Sequence, residues 1–188
     1  MSRFDEALRV VFSFEGGFSD DKDDPGGATK YGITEGTLSV ARQRGVVPSS
    51  VTIHSLTPEH AAAIYRAMYW DRIRGDDLPR PLDLILFDIA VNSGIGKAGE
   101  LLQKALNMVA GSCLSVDGAI GPKTMAALSA ALRCDRPDVV LRLLCLQVLL
   151  LRVALYSAIC DNRPSMRKFL RGWIKQRVVS LASKAGLL

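Results

Sequence analysis

Phe14-Glu15-Gly16-Gly17-Phe18, then Asp20-Asp21-Lys22-Asp23-Asp24-Pro25-Gly26-Gly27-Ala28-Thr29-Lys30-Tyr31-Gly32-Ile33-Thr34, marks a break between an amphipathic helix and a long polar loop. Before the break, Phe4, Ala7, Leu8, Val11 and Phe12 share one face at helical spacing, which predicts a helix over 2–15. Ser2 is placed to cap it, and Asp5 and Glu6 suit the positive end of its dipole. Gly16-Gly17 is expected to end it. After the break, residues 18–36 are rich in Asp, Gly and Thr, which predicts a long loop with short strands around 31–34. Loops of this length inside compact domains are usually functional.

Glu15 lies four residues after Val11, so a helix reaching it sets its carboxylate on the apolar stripe. The negative end of the dipole falls there too, and both effects disfavour the ionised form. A carboxylic acid held protonated can donate to a departing glycosidic oxygen. The plainer alternative is a helix-end Glu in water with an ordinary glycine cap. Two-carboxylate glycoside cleavage needs a second group. Asp24 follows Glu15 by nine residues, and Thr29 and Tyr31 offer hydroxyls to hold water or sugar. A solvated acidic turn is the competing reading. Calcium fits poorly, because Lys22 and Pro25 stand where an EF-hand loop wants an oxygen ligand and a glycine. No metal or other cofactor is expected.

Further on, helices are predicted over 35–44, from Thr57-Pro58-Glu59 to about Tyr69-Trp70, and over 82–93, 97–106, 122–132, 138–160 and 165–185. Gly94 and Gly96 are expected to stop the 82–93 helix. The fold class is mainly α (α+β), with one small β element near the N-terminus. Residues 139–159 are strongly apolar but carry Arg142, Gln147 and Arg152. Two arginines in one span are costly in a bilayer, so a buried core helix is expected, with no stable membrane insertion. Asp88 and Asn92, four apart on a buried helix, are expected either to support the site or to pair locally, Asp88 with an arginine. Tyr69-Trp70 suits either sugar stacking or the core.

The chain has 188 residues and a net charge of +5, compatible with a polyanionic partner such as nucleic acid, an anionic membrane or an acidic wall. The basic residues of 165–185 lack a compact recognition helix or aromatic ladder, so no nucleic-acid partner is expected. Cys113, Cys134, Cys145 and Cys160 fit no zinc spacing and are expected to be free thiols. Met1-Ser2-Arg3-Phe4-Asp5-Glu6 shows no apolar signal region, which suggests synthesis in the cytoplasm.

Glu15-Gly-Gly-Phe with Asp24-Pro-Gly-Gly-Ala-Thr-Lys-Tyr-Gly-Ile-Thr34 resembles the signature of glycoside hydrolase family 108, the N-acetylmuramidases of phage endolysins and bacterial secretion activators. The resemblance continues through Ile64-Tyr65-Arg66, Tyr69-Trp70, Phe87-Asp88-Ile89-Ala90-Val91-Asn92-Ser93-Gly94, Asp117-Gly118-Ala119-Ile120-Gly121-Pro122 and Phe169-Leu170-Arg171-Gly172-Trp173. It implies a lysozyme-like fold with two lobes around a cleft and cleavage of the β-1,4 bond from N-acetylmuramic acid to N-acetylglucosamine. It implies Glu15 as the general acid. Related phage lysozymes set an Asp or Cys where Asp24 stands, but Thr29 falls one residue early and Lys30 takes its place. Expected catalytic residues are thus Glu15, Asp24 and Thr29, with Tyr31, Thr34, Tyr69, Trp70 and Asn92 touching substrate. A catalytic region 1–92 and a peptidoglycan-binding-like region 93–188 are expected, in a monomer. By analogy with phage endolysins, a holin would release it to act on the wall in the periplasm. The alternative is a protein that binds peptidoglycan without cleaving it.

Overall fold

The computed structural model describes residues 1–14 and 29–188, with only the backbone of Thr29. The chain divides into two compact units, Met1–Arg72 and Ile73–Leu188.

In the first unit, α1 spans Arg3–Phe12. The Ser2 hydroxyl accepts from the Asp5 N–H at 3.1 Å, and the Asp5 carboxylate accepts from the Ser2 N–H at 2.9 Å. This reciprocal box satisfies two of the helix's orphan donors. Phe4, Ala7, Leu8 and Val11 are buried, the stripe expected from spacing. The helix stops earlier than expected, however. Ser13 caps it and folds its hydroxyl onto the Val10 carbonyl at 2.6 Å. Serine competes in this way for backbone partners and so favours helix ends. The helix therefore ends three residues short of Glu15, and the burial argument for that carboxylate loses its helix.

β1 (Thr29–Lys30) and β2 (Ile33–Thr34) form an antiparallel pair with Thr29 opposite Thr34 and Lys30 opposite Ile33. The two-residue loop holds Tyr31 at φ 54° and Gly32 at φ 71°. Two positive φ values match the strand twist of a tight hairpin. α2 (Glu35–Gln43) follows at once, capped by Thr34. α3 (Pro58–Tyr65) opens with Thr57 as cap and Pro58 at its first position, as expected. It widens at Arg66–Trp70 into a π-helical turn, which Asp71 closes by donating its N–H to the Arg66 carbonyl at 2.9 Å.

In the second unit, α4 (Leu82–Ser93) is buried nearly all round, with Leu82, Ile85, Leu86, Phe87, Ile89 and Ala90 inaccessible to solvent. Each such large side chain contributes about 1.5–3 kcal/mol. α5 (Ile95–Ala110) packs on α4 and on α7 (Pro137–Asn162). α5 begins right after Gly94 and includes Gly96, so only Gly94 is a stop. The close approach here requires Gly99 and Gly118: a Cβ at Gly118 would meet the Gly96 carbonyl oxygen at 2.7 Å, and a Cβ at Gly99 would meet the Gly118 oxygen at 1.9 Å, whereas a Cβ at Gly96 itself would meet nothing. The turn around Gly118 thus lies directly on the backbone of α5. α6 (Pro122–Ala131), α8 (Arg167–Ile174) and α9 (Leu181–Lys184) complete the unit.

α7 departs from the expected core helix. Leu144, Cys145, Val148, Leu149, Arg152, Tyr156 and Cys160 form a buried face, while Leu143 and Leu150 are exposed. The helix is long and apolar enough to cross a membrane by length and composition alone. The fold nevertheless seats one face against α5, α4 and α8 and buries Arg152 completely. All four cysteines are free, with Cys145 and Cys160 buried. Burial, helped by the Asp83 charge, pushes the Cys145 thiol up to about 12.

Candidate active site

The first unit brings together an aromatic row. Phe12, the last residue of α1, stacks on Tyr31 with centroids 6.4 Å apart and meets Tyr65 edge-on at 5.3 Å. Tyr65 in turn lies 5.6 Å from Tyr69. The Tyr65 hydroxyl donates to the Tyr31 carbonyl at 3.1 Å, which pins the hairpin turn from below. Lys30 reaches past the turn and donates from Nζ to the His54 carbonyl at 2.8 Å. The flanks of the segment 15–28 are therefore fastened to each other, because Phe12 precedes it and Tyr31 follows it. Flanks held together in this way have already met the entropic cost of bringing the ends of the segment together.

Glu15 and Asp24 lie outside the described residues, as does the side chain of Thr29. Tyr31 and Tyr69 are half-buried members of the aromatic row. Thr34 has its hydroxyl engaged, accepting from the Thr37 N–H at 3.2 Å as the cap of α2. Trp70 is 0% exposed and packs edge-on against Phe4 at 5.6 Å. The extra residue in the π turn rotates the indole into the core, so Trp70 supports the row by packing and offers no face to a sugar.

Asn92 belongs to the second unit, at the end of α4, and it caps a charged network there. Asp88, fully buried one turn earlier, accepts from Arg152 Nη1 at 2.6 Å and from Arg177 Nη1 at 2.8 Å. Arg152 Nη1 also donates to the Arg177 carbonyl at 2.8 Å. Asn92 Oδ1 then accepts from Arg152 Nη2 at 3.3 Å, from the Tyr156 hydroxyl at 3.1 Å and from the Ser93 hydroxyl at 3.3 Å. Burial pushes the Tyr156 phenol up, partly offset by the Arg152 charge, so it remains a neutral donor. A buried guanidinium is tolerable only when paired in this way. The expected pairing of Asp88 with an arginine is found, doubled. Sequence reading missed Arg152 as its partner, although an arginine inside an apolar helix and an aspartate inside another are the signal for such a pair.

A second polar cluster holds the Asp117-Gly118 turn. Gln103 on α5 is 2% exposed. Its Nε2 donates to Asp117 Oδ1 at 2.7 Å and to the Ala119 carbonyl at 3.0 Å, and its Oε1 accepts from the Gly118 N–H at 2.9 Å. The Gln103 amide, with the Ala119 N–H behind it, holds the Asp117 carboxyl below the usual carboxylate range. The motif is a locked turn on α5. Among the described residues no group of His, Cys, Asp and Glu is arranged to hold a metal ion.

These features define a mainly α protein with a small β-hairpin in its first unit. Residues 8–94 match the family described as Glycosyl hydrolase 108, and residues 97–178 match the family described as Predicted Peptidoglycan domain. A solved structure, "Structure of Brucella abortus SagA", is 36% identical, covers 97% of this chain and 92% of its own, and superposes with a TM-score of 0.70. No curated protein matches. The chain belongs to the glycosyl hydrolase 108 family: it is a muramidase-type glycoside hydrolase acting on peptidoglycan.

Proposed function

We propose that this chain is an endolysin-type N-acetylmuramidase that hydrolyses the β-1,4 bond between N-acetylmuramic acid and N-acetylglucosamine. Glu15 donates its proton to the departing O4 of N-acetylglucosamine. Asp24 activates the attacking water or stabilises the oxocarbenium-like transition state. Water adds to C1 of N-acetylmuramic acid, which becomes the new reducing end. Thr29 positions the water or the sugar. Tyr31 and Tyr69 present ring faces to the glycan, and Thr34 fixes the end of the hairpin through its cap. Asn92 contributes a further substrate contact. Catalysis belongs to the region 1–92 and wall contact to 93–188, and the enzyme acts as a monomer at the cell wall.

The observation that carries this reading is the family match over 8–94, which spans the whole Glu15-to-Thr34 motif. The fastened flanks of that motif, Phe12 on Tyr31, support it independently. The test is digestion of purified peptidoglycan followed by mass spectrometry of the fragments. The expected products end in reducing N-acetylmuramic acid, and Glu15→Gln lowers their release by about 100- to 10,000-fold. Undiminished release by Glu15→Gln overturns the assignment. Wall binding with no new reducing ends from the unaltered chain favours the non-catalytic reading.

A further inference from the structure

The second unit contains a cavity of about 640 Å³, bordered by the end of α4, the last turns of α7 and α8. Its apolar wall includes Leu155, Ile159, Met166 and Trp173, and its polar positions include Asn92 and Arg163. Three donors converge on one atom of the Asn92 amide, so that atom is the oxygen. The amide NH₂ has no hydrogen bond among the described residues, and Asn92 lines the cavity. Its orientation is fixed from behind, because Arg152 is itself clamped by the buried Asp88. Arg163 is exposed, and its guanidinium has no hydrogen bond or ion pair among the described residues. Lys97, also on the rim, is already bonded to Glu100. Trp173 is half-buried, propped between Tyr156 at 5.2 Å and Phe169 at 6.1 Å.

The donor balance identifies the ligand. Among the described lining residues there is no aspartate or glutamate, the Asn92 amide oxygen is already filled, and the Asn162 amide oxygen is the one amide acceptor left open. Sugar hydroxyls need acceptors as well as donors, and this wall supplies few. A planar guanidinium beside a free amide NH₂ suits a carboxylate, and the aliphatic and indole surfaces suit small methyl-bearing side chains. The glycan backbone of peptidoglycan is neutral, and its acidic groups sit on the peptides attached to the lactyl ethers. We infer that this cavity binds the acidic stem peptide of peptidoglycan, with Arg163 and Asn92 holding a carboxylate and Trp173 covering the alanine methyls. The inference rests on the muramidase reading for its choice of polymer. It agrees with the match of residues 97–178, which include Lys97, Arg163 and Trp173, to a predicted peptidoglycan domain.

The chain has two tryptophans, and Trp70 is 0% exposed, so Trp173 reports on the cavity. The full chain carrying Glu15→Gln is titrated with a purified disaccharide-tetrapeptide and, separately, with a peptide-free tetrasaccharide of N-acetylglucosamine, which carries no carboxyl group. The expected result is a shift in tryptophan fluorescence with the first probe only, lost in Trp173→Phe. Arg163→Glu weakens that binding by at least about tenfold, as for a lost charged hydrogen bond, while Arg163→Lys loses less. Far-UV circular dichroism checks that the exposed Arg163 variants are folded. Equal binding of the peptide-free probe, or full affinity in Arg163→Glu, overturns the inference. The muramidase reading fails separately, through undiminished hydrolysis of peptide-free strands by Glu15→Gln.

Discussion

The hairpin of the first unit and the charged core of the second are both organised by a buried tyrosine or arginine that reaches across the chain, but they are stabilised differently. Around Tyr31 the described partners are rings, the Lys30 ammonium 5.8 Å from the Tyr31 ring centre and one neutral hydrogen bond, the Tyr65 hydroxyl to the Tyr31 carbonyl. Around Asp88 they are full charges with no access to water. Aromatic packing is tolerant of small shifts, whereas a buried carboxylate between two guanidiniums fails as soon as one member is missing. The residues that flank the segment bearing the proposed acid, Phe12 and Tyr31, therefore belong to the more adaptable region. The helices that form the second unit are fixed by the stricter one.

The largest effect is expected from Asp88→Asn. It leaves the fully buried Arg152 without its countercharge and should cost about 3–5 kcal/mol, measured by denaturant unfolding. A loss below about 1 kcal/mol would mean that solvent reaches the pair and that the contrast between the regions is false. Gln103→Leu comes next, because it orphans the buried Gly118 N–H and other groups of the turn, for about 2 kcal/mol. It also removes the main cause of the lowered Asp117 value. A lowered carboxyl stabilises the fold above the usual aspartate range, near 3.8, and that stabilisation is lost as the pH falls through the folded-state value. The variant's stability should accordingly fall less steeply with acid than that of the parent chain.

Tyr65→Phe removes only the hydroxyl and should cost about 1 kcal/mol. If the hairpin positions the loop, hydrolysis falls by more than stability does, which parallel turnover and unfolding measurements would reveal. An unchanged rate separates the hairpin from catalysis. The smallest effect concerns Cys145. Its thiol is raised from 9.0 to about 12, so it stabilises the fold below pH 9 and loses that contribution as the pH climbs toward 12. At pH 8, alkylation of the native protein should label Cys113 and Cys134, which are exposed, and spare Cys145 until denaturant is added. Prompt labelling of Cys145 would show that the second unit opens readily.

The placement of most helices was legible from spacing and caps. Ser2, Thr57 and Pro58 act where their chemistry suggested, and Gly94 stops α4. The candidate site was legible as a motif, since Glu15, Asp24 and the glycines between them are adjacent in sequence and match a family over that span. What misled was local extrapolation. Apolar spacing carried α1 on to Glu15, but the Ser13 hydroxyl ends it sooner. The hydropathy of α7 suggested a buried core helix, yet among the described residues only one face finds partners.

By itself the sequence determined the helical class, the small β element near the N-terminus and the family, because these follow from neighbours within a few residues or from an uninterrupted motif; the strands were expected around 31–34, whereas Tyr31-Gly32 forms the turn between them. Tertiary structure alone decided that Arg152 would meet Asp88, 64 positions earlier, and that Trp70 would turn inward while Tyr69 stayed at the row. It alone left the Asn92 amide and Arg163 facing one cavity. Such pairings depend on which helix faces close over one another. Burial then selects, among many possible partners, the few that leave no charge unmatched.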